Sequence, residues 1–130
     1  MGQPAAKEGD QITATDTHIV LIPAGPSTVP TPLPHPFAGK IDGNLSQDVK
    51  IMGKAAATVD STATNSPSHI PQGGPFQSSP ANKGTIKMGS GTVKINGKAA
   101  ARNGDTAETC NDPSDLPVGT VMATGSVSIG

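Results

Sequence analysis

Three imidazoles and one thiol are the residues of this 130-residue chain best suited to hold a metal: His18, His35, His69 and Cys110. Three of the four follow copies of a single phrase. The copies begin at Pro4-Ala5-Ala6-Lys7-Glu8-Gly9-Asp10, at Gly53-Lys54-Ala55-Ala56-Ala57-Thr58-Val59-Asp60, and at Gly97-Lys98-Ala99-Ala100-Ala101-Arg102-Asn103-Gly104-Asp105. The first runs on to His18, the second to His69 and the third to Cys110. A repeat that delivers a soft or borderline ligand each time implies a pseudo-threefold body closed around one metal ion. His35 lies outside the repeats, locked between Pro34 and Pro36, and His69 sits between Pro67 and Pro71. Proline neighbours restrict the backbone, which lowers the entropy lost when an imidazole is fixed.

The same residues admit other chemistry. Cys110 could serve as a nucleophile with a histidine as its base, or a metal could activate water. Against this, the chain has only two glutamates, Glu8 and Glu108, no His-Glu-x-x-His or Cys-x-x-Cys motif, and no set of aromatic residues to line a ligand pocket. Asp10, Asp60 and Asp105 recur after small-residue runs, where a carboxylate ordinarily accepts backbone N–H groups in a turn. Lys83, Lys87, Lys94, Lys98 and Arg102 read as a solvated strand face.

The elements that must position the ligands are strands. Leu, Ile, Val and Phe together make up under a fifth of the residues, there are 16 Gly and 13 Pro, and Trp and Tyr are absent. A large core is excluded, helices are disfavoured, and short strands with tight turns are expected. Nine basic residues nearly balance ten acidic ones, so the chain is not the self-repelling kind that stays disordered. An all-β fold with so little core needs a staple; Cys110 has no partner for a disulfide, which leaves a metal or an oligomeric partner. One arginine and two phenylalanines provide neither fork nor stacking platform for nucleic acid. No signal-peptide layout and no bilayer-length apolar run is found, so synthesis in the cytoplasm is expected.

Alternation of period two marks Val49-Lys50-Ile51-Met52-Gly53, Val93-Lys94-Ile95-Asn96-Gly97 and Val127-Ser128-Ile129-Gly130 as strands with one apolar face. Lys54 and Lys98 are offset by 44 residues, as are Val49 and Val93, which points to duplicated structural units. Glycines between Ile86-Lys87-Met88 and Thr92-Val93-Lys94-Ile95, and after Val121-Met122-Ala123, predict two hairpins. The Ala55–Ala57 and Ala99–Ala101 runs are too short for helices and would let strands converge near a pointed end. The chain is read as one domain over residues 1–130, with repeat units beginning near 4, 53 and 97. A stiff proline-rich excursion is expected at 23–36, unable to form a central strand, and a second loop at 65–83.

The stretch from Gly89 to Asp105 carries a specific resemblance. It reads Gly-Ser-Gly-Thr-Val-Lys-Ile-Asn-Gly-Lys-Ala-Ala-Ala-Arg-Asn-Gly-Asp. This is similar to the Gly-Ser-x-x-Val-x-Ile-Asn-Gly-Lys-Pro-Ala-Ala-Arg-x-Gly-Asp pattern of PAAR-repeat proteins, departing at one proline and at most one spacer residue. Those proteins tip the spikes of contractile injection systems such as type VI secretion machines and phage-tail-like particles. Pro4 to Asp10 matches with Lys7 in the arginine place, the middle copy is weakest, and Ala123 to Gly130 matches the terminal strand; the proline-rich excursion marks a PAAR-like variant.

The resemblance implies a short conical β-prism of pseudo-threefold repeated strand units. It would sit by its base on a trimeric VgrG-like spike, one tip per trimer, with a metal-stapled apex. It implies one zinc ion, or iron, held by His18, His35, His69 and Cys110. A tetrahedral site of that kind has no place for water and is structural. The implied role is mechanical: no enzyme activity, envelope piercing with transient contact with the target envelope, and any effector carried as a separate polypeptide. Assembly on an injection particle and delivery outside the cell follow from it. The rival is a passive adaptor that couples an effector to the spike. Docking is expected through strand edges and through apolar residues such as Val49, Ile51, Val93, Ile95, Val127 and Ile129.

Overall fold

The computed structural model describes residues 2–130. They form strands and connecting turns, with no helix among them, as the composition requires. In chain order the strands are β1 (Gln3–Pro4), β2 (Gln11–Ala24), β3 (Ser27–Gly43), β4 (Lys50–Ile51), β5 (Lys54–Ala55), β6 (Thr62–Asn65), β7 (Lys83–Ile86), β8 (Lys94–Ile95), β9 (Lys98–Ala99), β10 (Thr106–Thr109), β11 (Leu116–Met122) and β12 (Ser128–Ile129). Six of them close an antiparallel barrel in the order β10-β11-β2-β3-β6-β7. Closure removes most free edges from a small sheet. The other six pair as β1 with β12, β4 with β5 and β8 with β9.

Those three small pairs are equivalent corners. Ile51 pairs with Lys54, Ile95 with Lys98 and Ile129 with Gln3, so the first corner is assembled from the two ends of the chain. The repeat then closes on itself through a ring of backbone hydrogen bonds. The Ala6 N–H donates to the Ala101 carbonyl (2.9 Å), that of Ala101 to Ala57 (3.0 Å), and that of Ala57 to Ala6 (3.0 Å). A second cycle runs from Glu8 to Ala55, from Val59 to Ala99 and from Asn103 to Pro4, each 2.9 Å. Alanines make this approach feasible, since a larger side chain at Ala6, Ala57 or Ala101, all fully buried, would push the three segments apart.

The core repeats in threes as well. Ala5, Ala56 and Ala100 pack with Ile51, Ile95 and Ile129, and beyond them Ala6, Ala57 and Ala101 pack with Ile41, Ile86 and Val121. The alanines therefore converge beside the corner strands, and the pointed-end placement expected for them is corrected. Of the apolar residues expected at a docking base, Ile51, Ile95 and Ile129 are buried and Val49, Val93 and Val127 are exposed.

The turn after each copy shows why the middle copy looked degraded. Asp10 and Asp105 accept the backbone N–H groups of Lys7 (3.0 Å) and Arg102 (2.7 Å), as expected of turn carboxylates. In the middle copy the acceptor is Ser61, whose Oγ takes the Thr58 N–H at 3.0 Å. Asp60 is corrected accordingly: it stands in the place of Gly9 and Gly104, with φ of 80° beside their 92° and 89°. Its exposed carboxylate meets Lys98 at 3.4 Å. Arg102 and Lys7 pair within their own turns, with Asp105 (2.9 Å) and Asp10 (3.1 Å). Arg102 thus leaves the exposed series formed by Lys83, Lys87, Lys94 and Lys98.

Two expectations change more substantially. The hairpins predicted around Gly89-Ser90-Gly91 and Thr124-Gly125-Ser126 are instead crossings from the barrel to a corner: β7 pairs with β6 and β10, while β8 pairs with β9. At the first crossing Ser90 Oγ accepts the N–H groups of Thr92 (3.1 Å) and Val93 (2.9 Å). The proline-rich excursion at 23–36 is extended and stiff, yet from Ser27 onward it is a strand, paired residue by residue with β2 from Ala24↔Ser27 to Gln11↔Lys40. Gly25 (φ 64°) followed by Pro26 makes the two-residue turn.

Prolines are tolerated because Pro30, Pro32, Pro34 and Pro36 occupy alternate positions. The Leu21 N–H, opposite Pro30, bonds away from β3 to the Pro75 carbonyl, so these pairs are the non-hydrogen-bonded ones of the ladder. The prolines' missing donors face outward, where β3 is an edge until β6 joins it at Gly39. Residues between Asn65 and Lys83 form the expected second loop.

Candidate metal centre

The β2–β3 ribbon rises beyond the barrel, and the period of two turns Ile12, Asp16, His18 and Val20 to the buried side of β2 and His35 and Phe37 to that of β3. Asp16 and His35 are directly paired across the ribbon. The β6–β7 loop brings His69 over this face, and Cys110 arrives just after β10. One donor atom from each of Asp16, His18, His69 and Cys110 lies within 4.8 Å of the others. Cys110 Sγ stands 3.7 Å from His18 Nε2 and 3.4 Å from an Asp16 oxygen, and His69 Nε2 is 2.8 Å from that same oxygen. His18, Cys110 and Asp16 are 1 %, 3 % and 0 % exposed.

The four sequence-predicted ligands are therefore brought to one place, with one distinction. His18, His69 and Cys110 fall in the compact set, whereas His35 borders it, its ring centroid 5.5 Å from those of His18 and His69. His35 Nδ1 donates to the Leu33 carbonyl at 3.0 Å, which leaves Nε2 with its lone pair. Phe76, bridged to Val20 from the loop, covers both His18 and His35 edge-on or tilted at 5.8 and 5.3 Å.

Asp16 was missed by the sequence reading. The available signal was its position two residues before His18 in an alternating strand, which puts both on one face. It is anchored by a hydrogen bond from Thr109 Oγ1. Asn111 and Asp112 were also passed over; they accept the β2 N–H groups of Thr17 (2.6 Å) and Ile19 (2.8 Å) and so fix the ribbon's outer edge.

The electrostatics favour a cation here. Burial, and then the neighbouring Asp16 carboxylate, push the Cys110 thiol up to about 11. Burial likewise holds the His18 imidazole below its ordinary value, against the pull of Asp112 3.6 Å from Nδ1. His18 Nδ1 is buried without a hydrogen-bond partner. A divalent ion reverses the cost of a buried thiolate and carboxylate. Tetrahedral zinc, with bonds of about 2.0 to 2.3 Å, separates its donors by roughly 3.3 to 3.7 Å. The sulfur contacts meet that spacing and the donor set suits a borderline ion, so the residues present fit a metal.

Fold and site together define an all-β protein with an internal threefold repeat and a buried thiol, imidazole and carboxylate cluster. The chain belongs to the PAAR motif family, whose model matches residues 34–110, more than half of its length. The match takes in the second and third copies with His35, His69 and Cys110, and stops short of Asp16 and His18. No curated protein matches the chain.

Proposed function

We propose that this protein is the spike tip of a contractile injection system, a mechanical part that caps a trimeric VgrG-like spike and is stiffened by one structural zinc ion. The observation that carries the reading is the hydrogen-bond ring through Ala6, Ala57 and Ala101, by which a single chain presents three equivalent corners. Such a body can seat on the end of a homotrimer, one copy to three chains, where an asymmetric chain would satisfy only one subunit. The exposed valines Val49, Val93 and Val127 recur once per corner and supply the apolar contacts. Sheath contraction would then drive the assembly through an envelope.

His18, His69 and Cys110 are the proposed zinc ligands. The fourth place goes to His35, whose free Nε2 and carbonyl-bound Nδ1 are the usual state of a ligating imidazole. Asp16 is the competing donor because it already lies in the compact set. The metal supplies a cross-link between residues distant in sequence, and the chain's own part is to hold the donors dry. Elemental mass spectrometry on the wild type and on His18→Ala, His35→Ala, His69→Ala, Cys110→Ser and Asp16→Asn variants tests this: one zinc per chain is expected, retained in Asp16→Asn and lost in the other four. Native mass spectrometry of the chain with a trimeric spike tests capping. A 1:3 complex supports the tip, and a 3:3 complex would favour an adaptor.

A further inference from the structure

The ribbon's free end has properties that capping and metal binding do not use. Residues 17–39 contain no Asp, Glu, Lys or Arg, and from Pro23 to Pro30 every residue is exposed. Val29 is 50 % exposed, opposite the half-buried Ile22. A hairpin entering an apolar phase must also account for each outward backbone donor, because an unpaired N–H there costs several kcal/mol.

Along β3 the outward positions are 28, 30, 32, 34 and 36, and four of the five are proline. Along β2 the outward N–H groups of Thr17, Ile19 and Leu21 are taken by Asn111, Asp112 and Pro75, and the next outward residue is Pro23. Among the described residues the Thr28 N–H is the one outward donor left on the two edges between Thr17 and Pro36, while the outward carbonyls of Thr28, Pro30 and Pro32 have no protein partner. That suits the hydrated boundary of a bilayer and not its hydrocarbon centre. Prolines at these positions also block strand addition, so a protein partner docking by β-pairing is disfavoured there.

We infer that the β2–β3 hairpin tip, centred on Gly25-Pro26 and carrying the exposed Val29, inserts into the interfacial zone of one leaflet of an electrically neutral lipid bilayer. Gly73 and Gly74 of the β6–β7 loop pack against Ile22, Leu21 and Pro23. The tip therefore projects about two residues per strand beyond that loop, about 7 Å, within the depth of roughly 5 to 10 Å at which interfacial segments sit in a bilayer. With no charge on the tip, insertion should be indifferent to lipid charge and to salt. The metal cluster lies at the ribbon's root, where Asp16, His18 and His35 tie it to the loop and to Cys110. The inference takes its setting from the spike-tip reading and concerns only which segment meets the envelope first.

The chain lacks Trp and Tyr, so a single introduced tryptophan reports without background. Val29→Trp in the full-length metal-loaded protein, mixed with phosphatidylcholine vesicles, is expected to show a blue-shifted emission. Brominated acyl chains should quench it, equally with and without added anionic lipid. Met122→Trp, exposed and paired with Gln11 at the far end of β2, is expected to show neither change. In a flotation assay with the otherwise native chain, Val29→Asp should lower the vesicle-bound fraction at least tenfold. An unshifted Val29→Trp emission, a shift confined to anionic vesicles, or an unchanged Val29→Asp fraction would each overturn the inference. A shift with target-envelope protein but not with pure lipid would overturn it in favour of a protein partner. None of these readouts involves the spike, so a 1:3 complex without vesicle binding fails this inference alone, and vesicle binding without capping fails the spike-tip reading alone.

Discussion

The two ends of the barrel are held together by different physics. At the corner end, three copies of one backbone arrangement satisfy one another's N–H and C=O groups, and alanine and isoleucine fill the space between. The ionisable groups buried there, Lys7 and Asp105, are paired within their own turns, with Asp10 and Arg102. At the ribbon end the interior holds a carboxylate, a thiol and imidazoles contributed by four separate segments, and a histidine nitrogen without a partner. Repetition gives the first end three like corners, whereas the second end abandons symmetry and gathers donors that a metal would cross-link. On the proposed spike-tip reading, the threefold end would meet the shaft and the single end the target.

The sharpest way to break this contrast is to remove the proposed cross-link. Cys110→Ser should abolish zinc binding and cost about 4 kcal/mol through the buried groups left uncompensated, a fall in melting temperature of roughly 15 °C. Calorimetry beside metal analysis checks it, and a variant that keeps both its zinc and its melting temperature would remove Cys110 from the site. Damage at the opposite end should be smaller and leave the metal in place. Ala101→Leu forces a larger side chain into the fully buried ring and should cost about 2 to 3 kcal/mol by overpacking, measured in urea, with one zinc per chain retained. Loss of zinc in Ala101→Leu would show that the two ends are not independent.

The contrast also explains what the sequence disclosed. The corner end was legible because its three copies obey one register, and Lys54 and Lys98 announce it. His18, His69 and Cys110, the proposed ligands, stand out in the sequence because they follow that repeat, and the structure gathers them into one cluster. Asp16 was not, since a carboxylate in a Thr-rich strand looks solvent-facing until the strand's buried side is known. The proline excursion, rightly barred from a central position, was read as a loop and not as an edge strand, because the pairing depends on its prolines falling on alternate residues. That spacing spares every inward hydrogen bond, and it becomes visible only with the β2 register in hand. The crossings near Gly91 and Gly125 were misread because a local turn signal does not say which strand follows.

A pH series reads the ribbon end alone. In protein stripped with chelator, the lowered His18 value means that the native state binds fewer protons than the unfolded chain. Stability is therefore full above the ordinary value of 6.5 and is lost as pH falls through it toward the folded one. Cys110 acts in the opposite sense: its thiol is raised from 9.0 to about 11, so stability is full below 9.0 and is lost as pH climbs toward the folded value. The melting temperature should decline on both sides, and His18→Gln should flatten the acid limb. An acid limb unchanged by His18→Gln would assign it to another group.

The smallest expected effect tests the equivalence of the corners. Asp60 stands where the other two copies have glycine and holds φ of 80°, a conformation that costs a residue with a Cβ about 1 kcal/mol. Its compensation is an ion pair with Lys98 in which both side chains are more than half exposed, worth little in water. Asp60→Gly should therefore stabilise the protein by about 0.5 kcal/mol or slightly more, despite losing a salt bridge. The measurement is the urea midpoint at unchanged slope, with Lys98→Ala as the companion that removes the pair and keeps the strain. If Asp60→Gly destabilises the protein while Lys98→Ala does so equally, the ion pair outweighs the backbone, and the middle corner is held differently from its neighbours. If Asp60→Gly alone stabilises, the backbone at this corner obeys the same rule as at Gly9 and Gly104.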